Sequence, residues 1–249
     1  MYDEMLNLNG STPRKLYKKL HAWLHDQNSS KLLNQSKKAE ELFRKVGITF
    51  NVYGDDKAEE RLIPFDLIPR IIENSEWDFV KKGIIQRLKA INLFLKDIYF
   101  DQKIIKDGII PSKLINNNSA FKPQMCGFNP PGDIYIHVSG IDLIRTSKNN
   151  FYVLEDNLRV PSGSSYMIEN RSTMMHMFPE LFTKYNVKNV YDYPDLLQKS
   201  LIKCYSNFSH SPNLAVLTPG VYNSAYFEHS FLADEMGVNL LEWRDLIID

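Results

Sequence analysis

Two short apolar runs, Gly140-Ile141-Asp142-Leu143-Ile144-Arg145 and Phe151-Tyr152-Val153-Leu154-Glu155, flank the polar stretch Thr146-Ser147-Lys148-Asn149-Asn150. Such runs around a turn-forming stretch predict a β-hairpin. A turn centred between residues 148 and 149 sets Asp142 directly opposite Glu155. Two like charges ~5 Å apart across an antiparallel pair are destabilising unless something compensates them. Because side chains alternate along an extended strand, Asn157 falls on the face of Glu155 and Asp156 on the other. A fold built around this hairpin therefore has to supply a compensating charge at one face. Two carboxylates and an amide oxygen are hard ligands of the kind Mg²⁺ takes, with water and phosphate completing its shell. Asp142, Glu155 and Asn157 are thus the candidate metal ligands, and the ligand chemistry suits a nucleotide enzyme.

The stretch Val160-Pro161-Ser162-Gly163-Ser164-Ser165 leads into a predicted helix. Ser162, Gly163 and Ser164 serve either as an ordinary capping turn or as a phosphate cradle of backbone N–H groups at a helix N-terminus. Arg145, Arg159 and Arg171 are candidates to neutralise phosphate oxygens, against the commoner role of arginine as a solvated surface residue.

Along the rest of the chain, apolar spacing predicts two helices between residues 13 and 46, broken near Gln27-Asn28-Ser29-Ser30. An alternating β-like run covers 47–54, and a proline-interrupted connection covers 64–70. A long helix is predicted from a Ser75 N-cap, with Ile84, Leu88, Ile91, Leu95 and Ile98 on one core stripe. Pro111 opens a short helical turn, strands are expected at 133–138 and 214–217, and helices at 164–183 and 194–206. The last unit reads strand, turn, helix, Gly237 stop, strand, the pattern of a βαβ crossover in a parallel sheet. Tyr222, Asn223, Ser224, Glu228 and His229 follow its first strand, where α/β folds place substrates. For His229 a half-buried histidine in a capped helix is an equally good reading.

The fold class expected is α/β (α+β): an antiparallel sheet with helices, then the start of a Rossmann-like parallel sheet. The division expected is a helical segment over 1–60, a subdomain with the metal hairpin over 61–190 and an α/β part over 191–249. Lys plus Arg and Asp plus Glu are 30 each, so no global field favours nucleic acid or acidic membranes. No signal segment or apolar run of bilayer length is visible, which predicts a cytoplasmic location without membrane attachment. Cys126 and Cys204 stand far apart and are read as buried small hydrophobes. The hydrolase signatures Gly-x-Ser-x-Gly and His-Glu-x-x-His are missing.

Several ordered segments resemble the circularly permuted ATP-grasp type 2 family from about residue 45 onward. They are the run 47–54, Ile63-Pro64-Phe65-Asp66, Ile68-Pro69-Arg70, Val153-Leu154-Glu155-Asp156-Asn157-Leu158-Arg159, Tyr166-Met167-Ile168-Glu169-Asn170-Arg171 and the stretch from Thr218-Pro219-Gly220 through His229. A more distant resemblance to the permuted ATP-grasp of glutathionylspermidine synthetase implies an aspartate, then a Glu-x-Asn on the next strand, holding the magnesium ions of ATP. Asp142, Glu155 and Asn157 match that order, whereas Gly140 stands where the synthetase pattern has a phosphate-contacting arginine, leaving Arg145 or Arg159 as its substitute.

The resemblance implies an ATP-dependent carboxylate–amine ligase with an acylphosphate intermediate, acting on small-molecule or peptide carboxylates and amines. It also implies that family members continue past residue 249 and carry their nucleotide-binding lysines there. The expectation is therefore a partial chain that self-associates through its incomplete C-terminal sheet, and the alternative is a non-catalytic scaffold or one part of a split enzyme.

Overall fold

The structure, a computed structural model, describes residues 2–7, 10–51, 60–205 and 212–247. In chain order its elements are α1 (Lys18–His25), α2 (Ser29–Val46), β1 (Thr49–Asn51), β2 (Glu60–Leu62), α3 (Asn74–Tyr99), α4 (Lys103–Lys106) and α5 (Ser112–Asn116). There follow β3 (Gly140–Arg145), β4 (Phe151–Asn157), α6 (Ser164–Met177), α7 (Pro179–Lys184), α8 (Tyr193–Ile202), β5 (Ala215–Leu217), α9 (Tyr226–Met236) and β6 (Asn239–Leu241). The strands pair as β1–β2 and β3–β4, both antiparallel, and β5–β6, parallel. This is the α/β (α+β) class that the sequence patterns require. The rest of the alternation expected over 47–54, at 52–54, and the end of the helix expected over 194–206 lie outside the described residues.

Two compact units emerge from the chain: residues 72–161 with Tyr2, and residues 3–71 with 162–249. The N-terminal helices thus share a unit with the C-terminal βαβ, a grouping different from the three consecutive segments expected from sequence.

In the first unit, α3 starts one residue before the expected Ser75 cap. Glu73 and Glu76 form a reciprocal capping box, which satisfies two N–H groups of the first turn. Val80 and Ile98 are its buried residues, while Ile84, Leu88, Ile91 and Leu95 of the expected stripe are half-buried. The β3–β4 hairpin turns its Ile141, Leu143 and Arg145 side inward. The Arg145 side chain is 1% exposed and ion-paired with Glu76 at 2.5 Å. It also donates to the carbonyls of Ser147 and Lys148 in the hairpin turn and lies over the Phe151 ring. One guanidinium therefore fastens both the turn and the helix.

The strand expected at 133–138 does not form. Asn92 Oδ1, on α3, accepts the N–H groups of Tyr135 (2.8 Å) and Ile136 (3.2 Å), so a side chain takes up donors that a strand would have offered to a ladder. Cys126 and Cys204 are exposed rather than buried. Cys126 follows a 3₁₀ turn and Cys204 follows the end of α8, so neither sits on the apolar stripe of a helix.

The second unit has its core where α1 meets α6 and α7. Tyr17, Leu20 and Trp23 pack with Met174, Phe178 and Leu181. Trp23 and Phe178 meet edge to face with centroids 5.1 Å apart, and Trp23 Nε1 donates to Glu180 Oε1. The Tyr17 hydroxyl donates to the Ile71 carbonyl and accepts its N–H, which ties the 64–70 connection to α1. The parallel β5–β6 pair and α9 form the expected crossover, with Gly237 at φ 63° ending α9.

Glu76→Gln removes a counter-charge from beside the buried Arg145 guanidinium, and chemical denaturation is expected to show a loss of about 3–5 kcal/mol. An unchanged midpoint overturns the anchoring role of this pair.

Candidate metal site and C-terminal crossover

The hairpin register carries an irregularity on which the site depends. Arg145 pairs with Phe151, Ile144 with Tyr152 and Leu143 with Val153, so the turn is centred on residue 148, one half-step earlier than the sequence reading. Continued unbroken, that register sets Asp142 opposite Leu154. Instead the ladder shifts between Leu143 and Asp142, Leu154 becomes an extra residue in β4, and Asp142 pairs with Glu155. A one-residue slip exchanges the two faces of a strand. The bulge accordingly sends Glu155 to the exposed face with Asp142, and sends Asp156 inward, where Arg87 of α3 grips it at 2.7 and 2.5 Å. That guanidinium holds the Asp156 carboxyl below the usual carboxylate range.

Three of the expected ligands meet on the exposed face. Asn157 Nδ2 lies 3.1 Å from Glu155 Oε1 and 3.4 Å from Asp142 Oδ1, so one amide donates to both carboxylates. Among the described residues neither carboxylate has an ion pair, in contrast to Asp156 and to Asp133, which pairs with Lys96 at 2.7 Å. The donor set fits a small hard cation: two anionic oxygens sit on paired strands, and a half-turn of the Asn157 amide exchanges its NH₂ for its oxygen.

Gly140 pairs with Asn157, and a Cβ placed on it meets Pro161 Cβ at 2.9 Å. Pro161 is a rigid ring, so the position excludes any side chain while that turn keeps its place, the arginine of the synthetase pattern included. Arg145 does not replace it at this face, since alternation and the Glu76 pair hold it on the inward side. Arg159 is exposed, two residues past Asn157, with no hydrogen bond or ion pair among the described residues.

Beyond β4 the backbone is left-handed at Val160 (φ 48°) and Gly163 (φ 114°). For the β-branched Val160 this conformation is strained, and such outliers cluster at functional turns. The expected phosphate cradle at the start of α6 holds an internal anion. Glu228, 4% exposed, accepts from Gly163 N at 2.8 Å, Ser165 N at 3.0 Å and Ser165 Oγ at 2.6 Å. Ser162 is exposed and Ser164 half-buried. Sequence reasoning placed Glu228 at a substrate site; its partners lie 63–65 residues earlier, and no local pattern announces such a contact.

The other residues of the crossover have mixed placements. Tyr222 is 91% exposed, Asn223 Oδ1 accepts Ala225 N in the turn that opens α9, and Ser224 is half-buried. His229 Nδ1 lies 2.9 Å from Thr218 Oγ1, which also accepts the Gly220 N–H. Burial pushes the His229 pKa down, against the opposing pull of Glu228. Two residues that the sequence did not single out stand out here. Glu242, just past β6, has its carboxylate 3.4 Å from where a Gly220 Cβ would be, and Glu169 on α6 has its carboxyl pushed up by burial and then by Glu235. Arg171 donates to the Lys188 carbonyl and lies over Phe182.

Gly140→Ala is expected to cost about 1–3 kcal/mol in denaturant unfolding, as overpacking against a rigid neighbour does. Wild-type stability would mean that Pro161 yields freely. For His229 the native pKa is depressed, so its contribution to stability is full above the unfolded value of about 6.5. It declines as pH falls from there toward the native pKa, because the unfolded chain takes up the proton first. Unfolding midpoints between pH 7.5 and 5 are expected to fall less steeply in His229→Gln, and equal slopes would refute this.

The chain matches the sequence profile of a family described as a circularly permuted ATP-grasp over residues 69–249. It is 43% identical to an uncharacterised protein of Synechocystis over 99% of this chain and 51% of that protein. With an uncharacterised protein of Mycobacterium tuberculosis the identity is 46% over 98% of this chain and 44% of the relative. A Frankia alni protein named as a putative glutamate–cysteine ligase is 36% identical over 100% of this chain and 29% of its own length. The chain thus spans about half the length of the first two of these curated relatives. Among the described residues no helix is long and apolar enough to cross a membrane. With the profile covering most of the chain, including the acidic hairpin and the C-terminal crossover, the chain belongs to the circularly permuted ATP-grasp family.

Proposed function

We propose that this chain carries the magnesium-binding face of an ATP-dependent carboxylate–amine ligase with an acylphosphate intermediate, acting on small-molecule or peptide substrates in the cytoplasm. The observation that carries this reading is the meeting of Asp142, Glu155 and Asn157 on one exposed face, with both carboxylates outside any ion pair among the described residues. The name of the Frankia relative, a putative glutamate–cysteine ligase, supports the reaction class.

In this reading Asp142 and Glu155 hold Mg²⁺ with the Asn157 oxygen as third protein ligand. When bound, the cation neutralises phosphate oxygens of ATP. Arg159, exposed and without an ion pair among the described residues, is the candidate to add positive charge to that site. Arg145 serves it indirectly by fixing the hairpin. Preorganisation is the protein's main contribution: the register shift at Leu154 and the Asp156–Arg87 pair set the ligand face before any cation arrives.

Mn²⁺ provides a spectroscopic substitute for Mg²⁺, and its binding is read by proton relaxation. Asp142→Asn and Glu155→Gln are each expected to weaken it by at least the roughly 10- to 100-fold that even outer-sphere partners cost. Both variants should keep the wild-type fold by circular dichroism and, in a version extended to the length of the relatives, lose ATP-dependent ADP release. Wild-type Mn²⁺ affinity in both would sink the metal assignment.

A further inference from the structure

A cavity of about 290 Å³ opens in the second unit beside the loop that follows α7. Its volume lies at the lower edge of the roughly 300–1,000 Å³ typical of small-molecule sites. Met175, Phe182, Tyr185 and Tyr191 supply apolar and aromatic wall, Arg171 and Lys188 supply positive charge, and no Asp or Glu is among the lining residues. The walls are held by bonds of their own. The Tyr185 hydroxyl accepts Leu20 N at 2.9 Å and donates to Leu16 O at 3.0 Å, and the Tyr191 hydroxyl lies 3.4 Å from Met175 Sδ. Arg171 Nη1 donates to the Lys188 carbonyl at 2.6 Å, and the guanidinium lies 5.9 Å from the Phe182 ring centre. Its Nε and Nη2 have no partner among the described residues. They form a planar two-donor edge, the geometry that matches a carboxylate.

We propose that this cavity binds a carboxylate of amino-acid to dipeptide size with an apolar or aromatic body, its carboxylate on the free edge of Arg171. The charge balance of the lining selects an anion, the aromatic walls select a body with a flat or apolar surface, and the volume selects a small one. The proposal rests on residues other than the acidic hairpin, and its test needs neither metal nor nucleotide.

The test is calorimetric titration of the chain with N-acetyl-L-phenylalanine, with its primary amide and with inorganic phosphate. The acid is expected to bind at least about tenfold more tightly than the amide, the difference that a charge-assisted hydrogen bond supplies. Phosphate is expected not to displace it. Arg171→Gln should weaken the acid by on the order of tenfold or more, and Arg171→Lys, which keeps the charge but loses the fork, by less. Val187→Phe, which fills the cavity from another lining position, should abolish binding while leaving Arg171 in place. Equal binding of acid and amide, displacement by phosphate, or unchanged affinity in both Arg171→Gln and Val187→Phe overturns the proposal.

Discussion

The exposed face of the β3–β4 hairpin rests on one extra residue. Leu154 has no partner across the ladder, and that irregularity decides which of Glu155 and Asp156 faces outward. With regular pairing, Glu155 would stand opposite Ile141 and turn toward α3 in the place of Asp156, and Leu154 would stand opposite Asp142. The bulge therefore selects Asp156 as the carboxylate that meets Arg87 and leaves Glu155 outside with Asp142. Asp156 is compensated by a guanidinium, and Glu155 with Asp142 is bridged by the Asn157 amide in a position that suits a cation. Bulges beside active sites commonly re-aim a side chain in this way.

A similar economy operates where β4 gives way to α6. The N–H groups at the start of α6 form an anion site, and in this chain a buried carboxylate from α9 fills it. Glu228 thereby couples the crossover helix to α6, reinforced by the stacking of Tyr166 on Phe227 at 5.5 Å. The backbone on the approach to this anchor is left-handed at Val160 and Gly163, a conformation that glycine adopts freely and that strains the β-branched Val160.

Arginine roles turned on burial more than on position in the chain. Arg145 and Arg159 lie on either side of Glu155-Asp156-Asn157, yet one is enclosed by Glu76, the turn carbonyls and an aromatic ring while the other is exposed. A buried guanidinium has to be paired to be tolerated, and once paired with Glu76 it serves the fold.

The elements with strong local signals were legible in the sequence. The two N-terminal helices, the long helix, the hairpin and the final crossover follow from 3.6- and 2-residue periodicity and from caps such as Gly237, because those forces act within a few residues. The pairing of Asp142 with Glu155 was legible as well, although from a turn centre that the structure moves by half a step and a bulge then restores. What the tertiary structure alone decided was set by partners distant along the chain. Asn92 took the donors of 135 and 136 and so prevented a strand, Glu76 claimed Arg145, Arg87 claimed Asp156, and Glu228 filled the α6 N-terminus. Periodicity reports which face of a segment is apolar. It carries no information about which charged or polar group, tens of residues away, will satisfy a donor once that face is buried, and that choice fixed the site.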